Sequence, residues 1–497
     1  MRAGDRRTIV LLAAVTAFAA ALRLVAIDAK GFWGDEISTV FLVHRPYGDM
    51  LDHVARLEST PPLYYSLAWL WAKLFGTTEA GLRSLSALVG AGTVPLAYGA
   101  AQELVSRRGA LYAATLAAAS PVLVWYSDEA RAYMLLVFLG AGALWCFART
   151  LKSSSRLALA LWAATSSLAV LTHYFAVFLA IPEATVLLRR CAVRREAIAA
   201  VATVGAACAA IFPLALRQAS YGHAAWIAHS SLIGRLASLP GDLVTGFDAG
   251  PPLPVGLAAI TAIAVAGTLA VRRAVGADRS GAAVAGRLVA GAVALPVALA
   301  LVGVDYISAR NSLAVTVPLL IAVGAGYAAG SRTGRIAMAG VVALSIGIVI
   351  AGAGQPKFHS EDWRSAAEDL GRSSHRRAVV ATPGQAGRKP LEYYLGAARL
   401  GWTRSVRVVE VDIVVMPPQG ESRVARRELI RLLRLRLPGF RRARTHLERN
   451  FAVLAYSAPR PEPVSQAMLD ERVRRGAATV VVGPRRAAST DVVHAGA

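Results

Sequence analysis

Long apolar runs alternate with short arginine-rich loops, and that alternation constrains this chain more than any other feature. A helix needs about 20 apolar residues to cross a bilayer. Clear runs of that kind lie at 8–27, 81–103, 109–127, 131–148, 196–216, 252–271, 286–304, 311–330 and 336–354. The stretch 156–188 is longer and is interrupted by Thr172, His173 and Tyr174, so it reads as two short helices meeting at a polar corner. The whole chain is 55% hydrophobic and 17% charged, against roughly 45–50% and 25% in soluble domains. A soluble enzyme and a disordered basic protein are both excluded. The net charge of +23 would suit a nucleic-acid binder, but the apolar runs would not, so no nucleic-acid partner is expected. The three cysteines lie in or beside apolar runs and build no disulfide framework. The basic, apolar start resembles a signal peptide without a convincing cleavage site and is kept as the first helix.

Charge sets the topology. Short cytoplasmic loops collect Lys and Arg. The ambiguous stretch 61–75 opens with Pro61-Pro62 and contains Lys73. If it does not span, eighteen basic residues fall on the cytoplasmic side against five acids, from Arg2, Arg6 and Arg7 to Arg332 and Arg335. If it spans, every later cluster flips outward. The expectation is therefore a polytopic α-helical membrane protein with eleven spans. Its N-terminus is cytoplasmic, residues 61–75 lie at the outer interface, and the C-terminus is extracytoplasmic. Residues 1–354 make the membrane module, with 28–80 as an outer loop carrying interfacial helices. Residues 355–457 make a small α/β domain, with strands at 377–382, 406–416 and 451–456 and helices at 361–371 and 421–437. The weakly patterned tail 458–497 is expected to be partly disordered. The Ala- and Arg-rich composition suggests a bacterial plasma membrane.

This topology gathers polar groups at one surface. Asp35-Glu36 follows the first span, Asp128-Glu129 and Arg131 sit at the next outer turn, His173-Tyr174 at another, and Asp305, Tyr306 and Arg310 at a later one. Taken singly, each has a plain reading: a solvated acid, a snorkelling arginine, a helix-break histidine. An unused carboxylate pair at the bilayer boundary, between Trp33 and the apolar 37–43 stretch, is costly. Trp69, Trp71, Trp125 and Tyr126 read as an aromatic belt. Together the carboxylates, arginines and imidazole suit transfer from a lipid phosphate. A carboxylate takes the proton of an acceptor hydroxyl, and arginine holds the departing phosphate by paired charge-assisted bonds.

Trp33-Gly34-Asp35-Glu36 resembles the acidic motif of membrane glycosyltransferases with the GT-C fold. Glu58-Ser59-Thr60-Pro61-Pro62-Leu63-Tyr64-Tyr65 is similar to their interfacial helix, and Phe75-Gly76, Glu79 and Leu82-Arg83 to the start of their second span. Ser127-Asp128-Glu129-Ala130-Arg131-Ala132-Tyr133 resembles their second outer motif. His173-Tyr174-Phe175, Arg310 with Pro318, and Asp362-Trp363-Arg364 are also similar. The group is the protein O-mannosyltransferase and lipid A aminoarabinose transferase type, family 39/83. The resemblance covers roughly residues 8–370 and is specific over 31–136. It implies a polyprenyl-phosphate sugar donor, an inverting single displacement and an extracytoplasmic acceptor that is a protein, glycolipid or cell-wall glycan. It implies Asp35, with Glu36, as the catalytic acid pair, Asp35 as general base and Asp128 as second acid. Glu129, Arg131, Tyr65, His173, Tyr174 and Arg310 would contact substrate. A divalent cation, Mg²⁺ or Mn²⁺, would fall to Asp35 and Asp128 if one is used, although nothing in the spacing demands it. Relatives often carry Lys or His before the Pro pair. Here Thr60 stands there, which leaves more of the phosphate to Arg131, Arg310 or His173.

A transporter or flippase of lipid-linked sugars, or a non-catalytic binder, is the alternative. A transporter would place ionisable groups or broken helices at mid-membrane; here the acids cluster at one face. Residues 423–449 contain ten arginines. They read as a solvated amphipathic helix or as a dock for anionic lipid heads or an anionic glycan.

Overall fold

Hydrocarbon offers no hydrogen bonds, so apolar runs fold as helices that satisfy their own backbone. The computed structural model describes residues 3–222, 227, 231–246, 253–354, 361–371, 373–382, 387–396, 398–399, 405–416, 429–448, 450–473 and 478–482. The chain divides into a helical unit, Met1–Ile27 with Thr39–Ala353, and a C-terminal unit, Asp28–Ser38 with Gly354–Ala497. The sequence places residues 28–38 in the outer loop of the membrane module. The structure groups them with the C-terminal unit, whose side chains hold their backbone.

The helices are α1 (Ala3–Leu24), α2 (Gly34–Val43), α3 (Tyr47–Leu57), α4 (Leu63–Phe75), α5 (Glu79–Leu104), α6 (Arg107–Ala119), α7 (Pro121–Ser127) and α8 (Tyr133–Ser153). They continue with α9 (Arg156–Thr172), α10 (Val177–Arg190), α11 (Arg194–Ser220), α12 (Leu232–Thr245), α13 (Leu253–Arg273), α14 (Gly276–Leu301), α15 (Thr316–Ala329) and α16 (Arg332–Gly354). This is a multi-pass membrane protein. Among the described residues eight helices are long and apolar enough to cross a bilayer, and the bent pair α6–α7 makes a ninth. The eleven expected spans count α9 and α10 as well, which have 17 and 14 residues. They meet, as expected, at His173, through a 3₁₀ turn at Tyr174–Ala176. Helix α4 has 13 residues, roughly 20 Å at 1.5 Å per residue, too short to span.

Two boundaries differ from the apolar runs. The expected span 109–127 bends by 47° between Ala119 and Pro121. Pro121 has no N–H to continue the ladder and forces Ser120 into an extended conformation, ψ 117°. Helix α14 starts at Gly276, not 286, because hydropathy marks the hydrocarbon and not the helix end; Asp278 Oδ1 there accepts from Ser106 N–H at 2.8 Å. The unit's core is mostly alanine, valine and leucine from α5, α6, α8–α11, α14 and α15. Small residues let the helix backbones approach closely, which is how helices associate in lipid.

The C-terminal unit is a six-stranded sheet of β1 (Arg377–Thr382), β2 (Ala398–Arg399), β3 (Ser405–Val415), β4 (Arg441–Leu447), β5 (Ala452–Ser465) and β6 (Ala478–Val482). The order is β2-β6-β1-β3-β5-β4. Only β1 and β3 run parallel. Central β1 is buried throughout, as a strand covered on both faces must be. Helices α17 (Trp363–Leu370) and α18 (Arg388–Leu395) pack against Val379 and Ala381. A helical turn at 429–433 and α19 (Gln466–Arg472) pack on the alternate face with Ala378 and Val380.

The expected partly disordered tail begins inside β5, and residues 458–482 supply the rest of that strand, α19 and β6; 483–497 lie outside the described residues. Pro459, Pro461 and Pro463 hid the strand. At period two, their missing donors face one edge, and β4 pairs β5 only up to Ser457, so no ladder bond is lost there. Of the expected helix 421–437, residues 421–428 lie outside the described residues. Arg441, Arg442 and Arg444 of the basic segment stand on the exposed edge strand β4 instead of a helix, where charge discourages edge-to-edge pairing.

Candidate active site

The bend at Pro121 places Asp128 at the C-terminus of the short helix α7. A carboxylate is disfavoured at that end of a helix. Arg23, fully buried on α1, lies within electrostatic reach of Asp128. Its guanidinium donates to the carbonyls of Ala19 (2.9 Å), Ala118 (3.0 Å) and Ala117 (3.2 Å), and its Nε to Ser127 Oγ at 3.1 Å. It thus satisfies the carbonyls freed where α6 breaks. Gly90 makes the room: a Cβ there would lie 2.2 Å from Ser127 Oγ. The next turn is fixed by Arg131 N–H donating to Glu129 O (2.8 Å) and Thr39 Oγ1 to Ala130 O (3.0 Å). Glu129 is buried.

Arg131 is clamped. Its Nη2 donates to Glu58 Oε2 at 2.9 Å, with the two side chains 8% and 5% exposed. The same oxygen accepts from Tyr65 Oη at 2.6 Å, and the guanidinium lies 5.8 Å from the Tyr65 ring centroid. Burial pushes the Tyr65 phenol up, so it remains a donor to Glu58. Thr60 Oγ1 is 3.2 Å from Tyr65 Oη. Gln218 extends the network: its Nε2 donates to Val54 O (2.9 Å) and Thr60 O (3.2 Å), and its Oε1 accepts from Tyr174 Oη (2.8 Å). His173 is buried between the rings of Tyr133 and Phe175, at 5.9 and 5.2 Å. Arg310 opens a 3₁₀ turn, Arg310–Val315, that packs against the Tyr174 turn and α8.

Asp35 and Glu36 occupy the first turn of α2, where the helix dipole favours negative charge. Glu36 is fully buried, and its Oε2 accepts from Trp33 N–H at 3.4 Å. Arg364 donates to the carbonyls of Asp28 (3.0 Å) and Ala29 (2.7 Å), Phe32 N–H to Tyr394 Oη (2.6 Å), and Lys389 Nζ to Ser38 Oγ (3.1 Å).

Within the helical unit the structure brings Arg131, Tyr65 and Tyr174 into one hydrogen-bonded network, with Asp128 and Glu129 on the adjoining turn. Asp305 pairs with Arg235, whose bonds hold its carboxyl below the usual carboxylate range. Sequence reasoning passed over Arg23 and Gln218, and in the C-terminal unit over Glu361, whose Oε2 accepts from Trp363 Nε1 at 2.7 Å. A charge inside the first apolar run was the available signal for Arg23; Gln218 and Glu361 carried none. Among the described residues no group of three or more His, Cys, Asp or Glu could hold a metal ion.

Residues 59–216 match the family model described as dolichyl-phosphate-mannose-protein mannosyltransferase. No curated protein matches the sequence. Among solved structures, ArnT from Cupriavidus metallidurans in the apo state superposes with a TM-score of 0.55 at 14% identity, over 91% of this chain and 98% of that one. The same protein bound to undecaprenyl phosphate gives 0.54 at 12%, over 90% and 97%. The chain has the GT-C fold. Within this GT-C fold, the stretch matched by the family model contains Tyr65, Asp128, Arg131, His173 and Tyr174.

Proposed function

We propose that the protein is an inverting glycosyltransferase. It moves a mannose- or arabinose-type sugar from a polyprenyl-phosphate donor to an acceptor hydroxyl on the extracytoplasmic side of a bacterial plasma membrane. The observation that carries this reading is the buried clamp of Arg131 by Glu58 and Tyr65, three residues along the chain from Asp128, with Arg131, Tyr65 and Asp128 inside the stretch matched by the mannosyltransferase family model. The fold shared with a protein that holds undecaprenyl phosphate supports the donor class.

In one displacement, the acceptor oxygen bonds to the anomeric carbon as the bond from that carbon to the phosphate oxygen breaks. Asp35 takes the acceptor proton, and the electron pair leaves on polyprenyl phosphate. Asp128 is the second acid, orienting the base or acceptor. Arg131, with Arg310, holds the phosphate. A guanidinium already fixed by Glu58 loses little freedom when the phosphate arrives, so positioning contributes to rate. Neutral Tyr65, Tyr174 and His173 line the donor, and Glu129 closes the turn around Arg131.

Full-length protein in detergent, given a labelled polyprenyl-phosphate sugar, tests this. Asp35→Asn is expected to lower polyprenyl-phosphate release by about 10²–10⁴-fold while donor binding persists. Near-normal release would remove Asp35 from the role of base. Donor binding without release by the unaltered protein would favour the non-catalytic binder.

A further inference from the structure

Helices α13 and α14 both pack along α15 but touch each other little. The groove between them holds a cavity of about 380 Å³, floored by Leu319, Ala322 and Val323 of α15. Its walls are apolar, with Ile263 and Gly267 on α13 and Gly286 on α14, and one charged side chain lines it, Arg279. Neither wall glycine admits a neighbouring helix: a Cβ on Gly267 or Gly286 would meet nothing within 4 Å. Gly326 on α15 is the contrast, since a Cβ there would stand 2.1 Å from Ala266 O. The wall glycines therefore widen the groove.

The charge gathers at one end. Arg272 and Arg273 end α13, and Arg279 lies in the first turn of α14. All three are exposed, and none has an ion-pair partner among the described residues. The neighbouring acid, Asp278, is committed elsewhere, because its Oδ1 accepts from Ser106 N–H at 2.8 Å. Ile263 lies about 15 Å along α13 from Arg273, at 1.5 Å per residue. That is half of a hydrocarbon core about 30 Å thick. The groove thus has the depth of one leaflet, apolar walls and a cationic mouth.

We propose that this groove holds one acyl chain of an anionic phospholipid, with Arg279 donating to the lipid phosphate and Arg272 and Arg273 flanking it. The chain alone gives little selectivity, because lipid tails are as apolar as the walls. Charge decides the occupant: a basic pocket between transmembrane helices selects anionic head groups, and guanidinium donates paired bonds to phosphate oxygens. The lipid is distinct from the sugar donor. Arg310, assigned above to the donor phosphate, precedes the N-terminus of α15. The mouth lies where α14 begins, at the opposite end of these two antiparallel spans. The site therefore stands whether or not the proposed transfer chemistry does.

The test is native mass spectrometry of the full-length protein in neutral detergent, titrated with dioleoyl phosphatidylglycerol or dioleoyl phosphatidylcholine. The chains are identical, so the net charge of the head group is what differs. The tightest-bound phosphatidylglycerol is expected to be retained at least about tenfold more tightly than phosphatidylcholine. Arg279→Gln should weaken it about fivefold, the effect of one basic residue near an anionic lipid, and leave phosphatidylcholine unchanged. Gly286→Leu should fill the groove and abolish the site. Gly267→Leu on the other wall should do the same, and decides if the first variant does not fold. Arg195→Gln, on the exposed start of α11, is the control and should change nothing. Equal retention of the two lipids overturns the proposal. So does a loss in Arg195→Gln as large as in Arg279→Gln, which would mean general attraction to a basic surface. Unchanged retention in the groove-filling variants would place the lipid elsewhere and overturn it too. Undecaprenyl phosphate held more tightly than phosphatidylglycerol, and lost in Gly286→Leu, would make the groove a donor-tail site instead.

Discussion

Arg131–Glu58 in the helical unit and Arg377–Asp412 in the C-terminal unit are both buried arginine–carboxylate pairs, with side-chain exposures of 8% and 5% in one and 2% and 1% in the other. They differ in how the carboxylate is satisfied. Glu58 Oε2 takes Arg131 at 2.9 Å and the Tyr65 hydroxyl at 2.6 Å. Asp412 Oδ2 stands 3.4 Å from Arg377 and has no hydrogen bond among the described residues. Arg377 gives its stronger bonds to the carbonyls of Leu370 (2.7 Å) and Gly371 (2.6 Å), closing the end of α17. Burial outweighs the ion pair and pushes Asp412 up to about 7; Glu410 and Asp369 push the same way, Arg377 and Arg444 against it. Taking two charges out of water repays only when the remaining lone pairs are filled. The first pair meets that condition, with both Arg131 and Tyr65 donating to Glu58. The second is a helix cap with an acid left beside it.

Breaking the first pair should give the largest effect. Arg131→Ala leaves Glu58 buried without its cation and should cost about 3–5 kcal/mol, read as a lower melting temperature in detergent, with donor affinity lost as well. A small stability loss with intact donor binding would show that the clamp is neither well satisfied nor functional.

Asp412→Asn tests the second pair from the opposite side. The pKa of Asp412 is higher folded than unfolded, so the unfolded chain gives up its proton first as pH rises. Stability from this group is full below about pH 4 and declines until about pH 7. At pH 8 the Asn variant should therefore be more stable by about 1–3 kcal/mol, seen as slower hydrogen exchange of the β3 amides in the full chain. The gain should vanish at pH 4. Destabilisation at pH 8 would mean that Asp412 is a true partner of Arg377.

Tyr65→Phe is the finest probe. It removes one hydroxyl from Glu58 and should cost about 0.5–1.5 kcal/mol. Donor KM should rise more than kcat falls, since Arg131 keeps its charge but loses part of its fixation. Unchanged stability and KM would leave the clamp to the ion pair alone.

The spans were legible because each is a local count of apolar residues. The corner at His173 and strands β1 and β3 were legible for the same reason, as breaks and alternations inside a short window. The bend at Pro121 was not, because a proline within an apolar run leaves hydropathy unchanged. The far half of β5 was masked by three prolines whose spacing is harmless only at that edge. Of the candidate site, the acid and arginine motifs could be found by residue type, but their partners could not. Thr60 shows the limit: the sequence marks it as a missing phosphate contact, whereas the structure puts its side chain and carbonyl in the network with Tyr65 and Gln218.

What the sequence determined by itself is the multi-pass helical class, the C-terminal sheet domain and the residue types available for chemistry, because hydrophobic periodicity and charge placement are properties of neighbours along the chain. Only the tertiary structure decided that Arg131 is neutralised by Glu58, 73 residues away, that Arg23 closes the break in the third span, and that Glu361 reaches the first turn of α2. A charge cannot stay unpaired in a low-dielectric interior, but which partner answers it is set by packing across hundreds of residues.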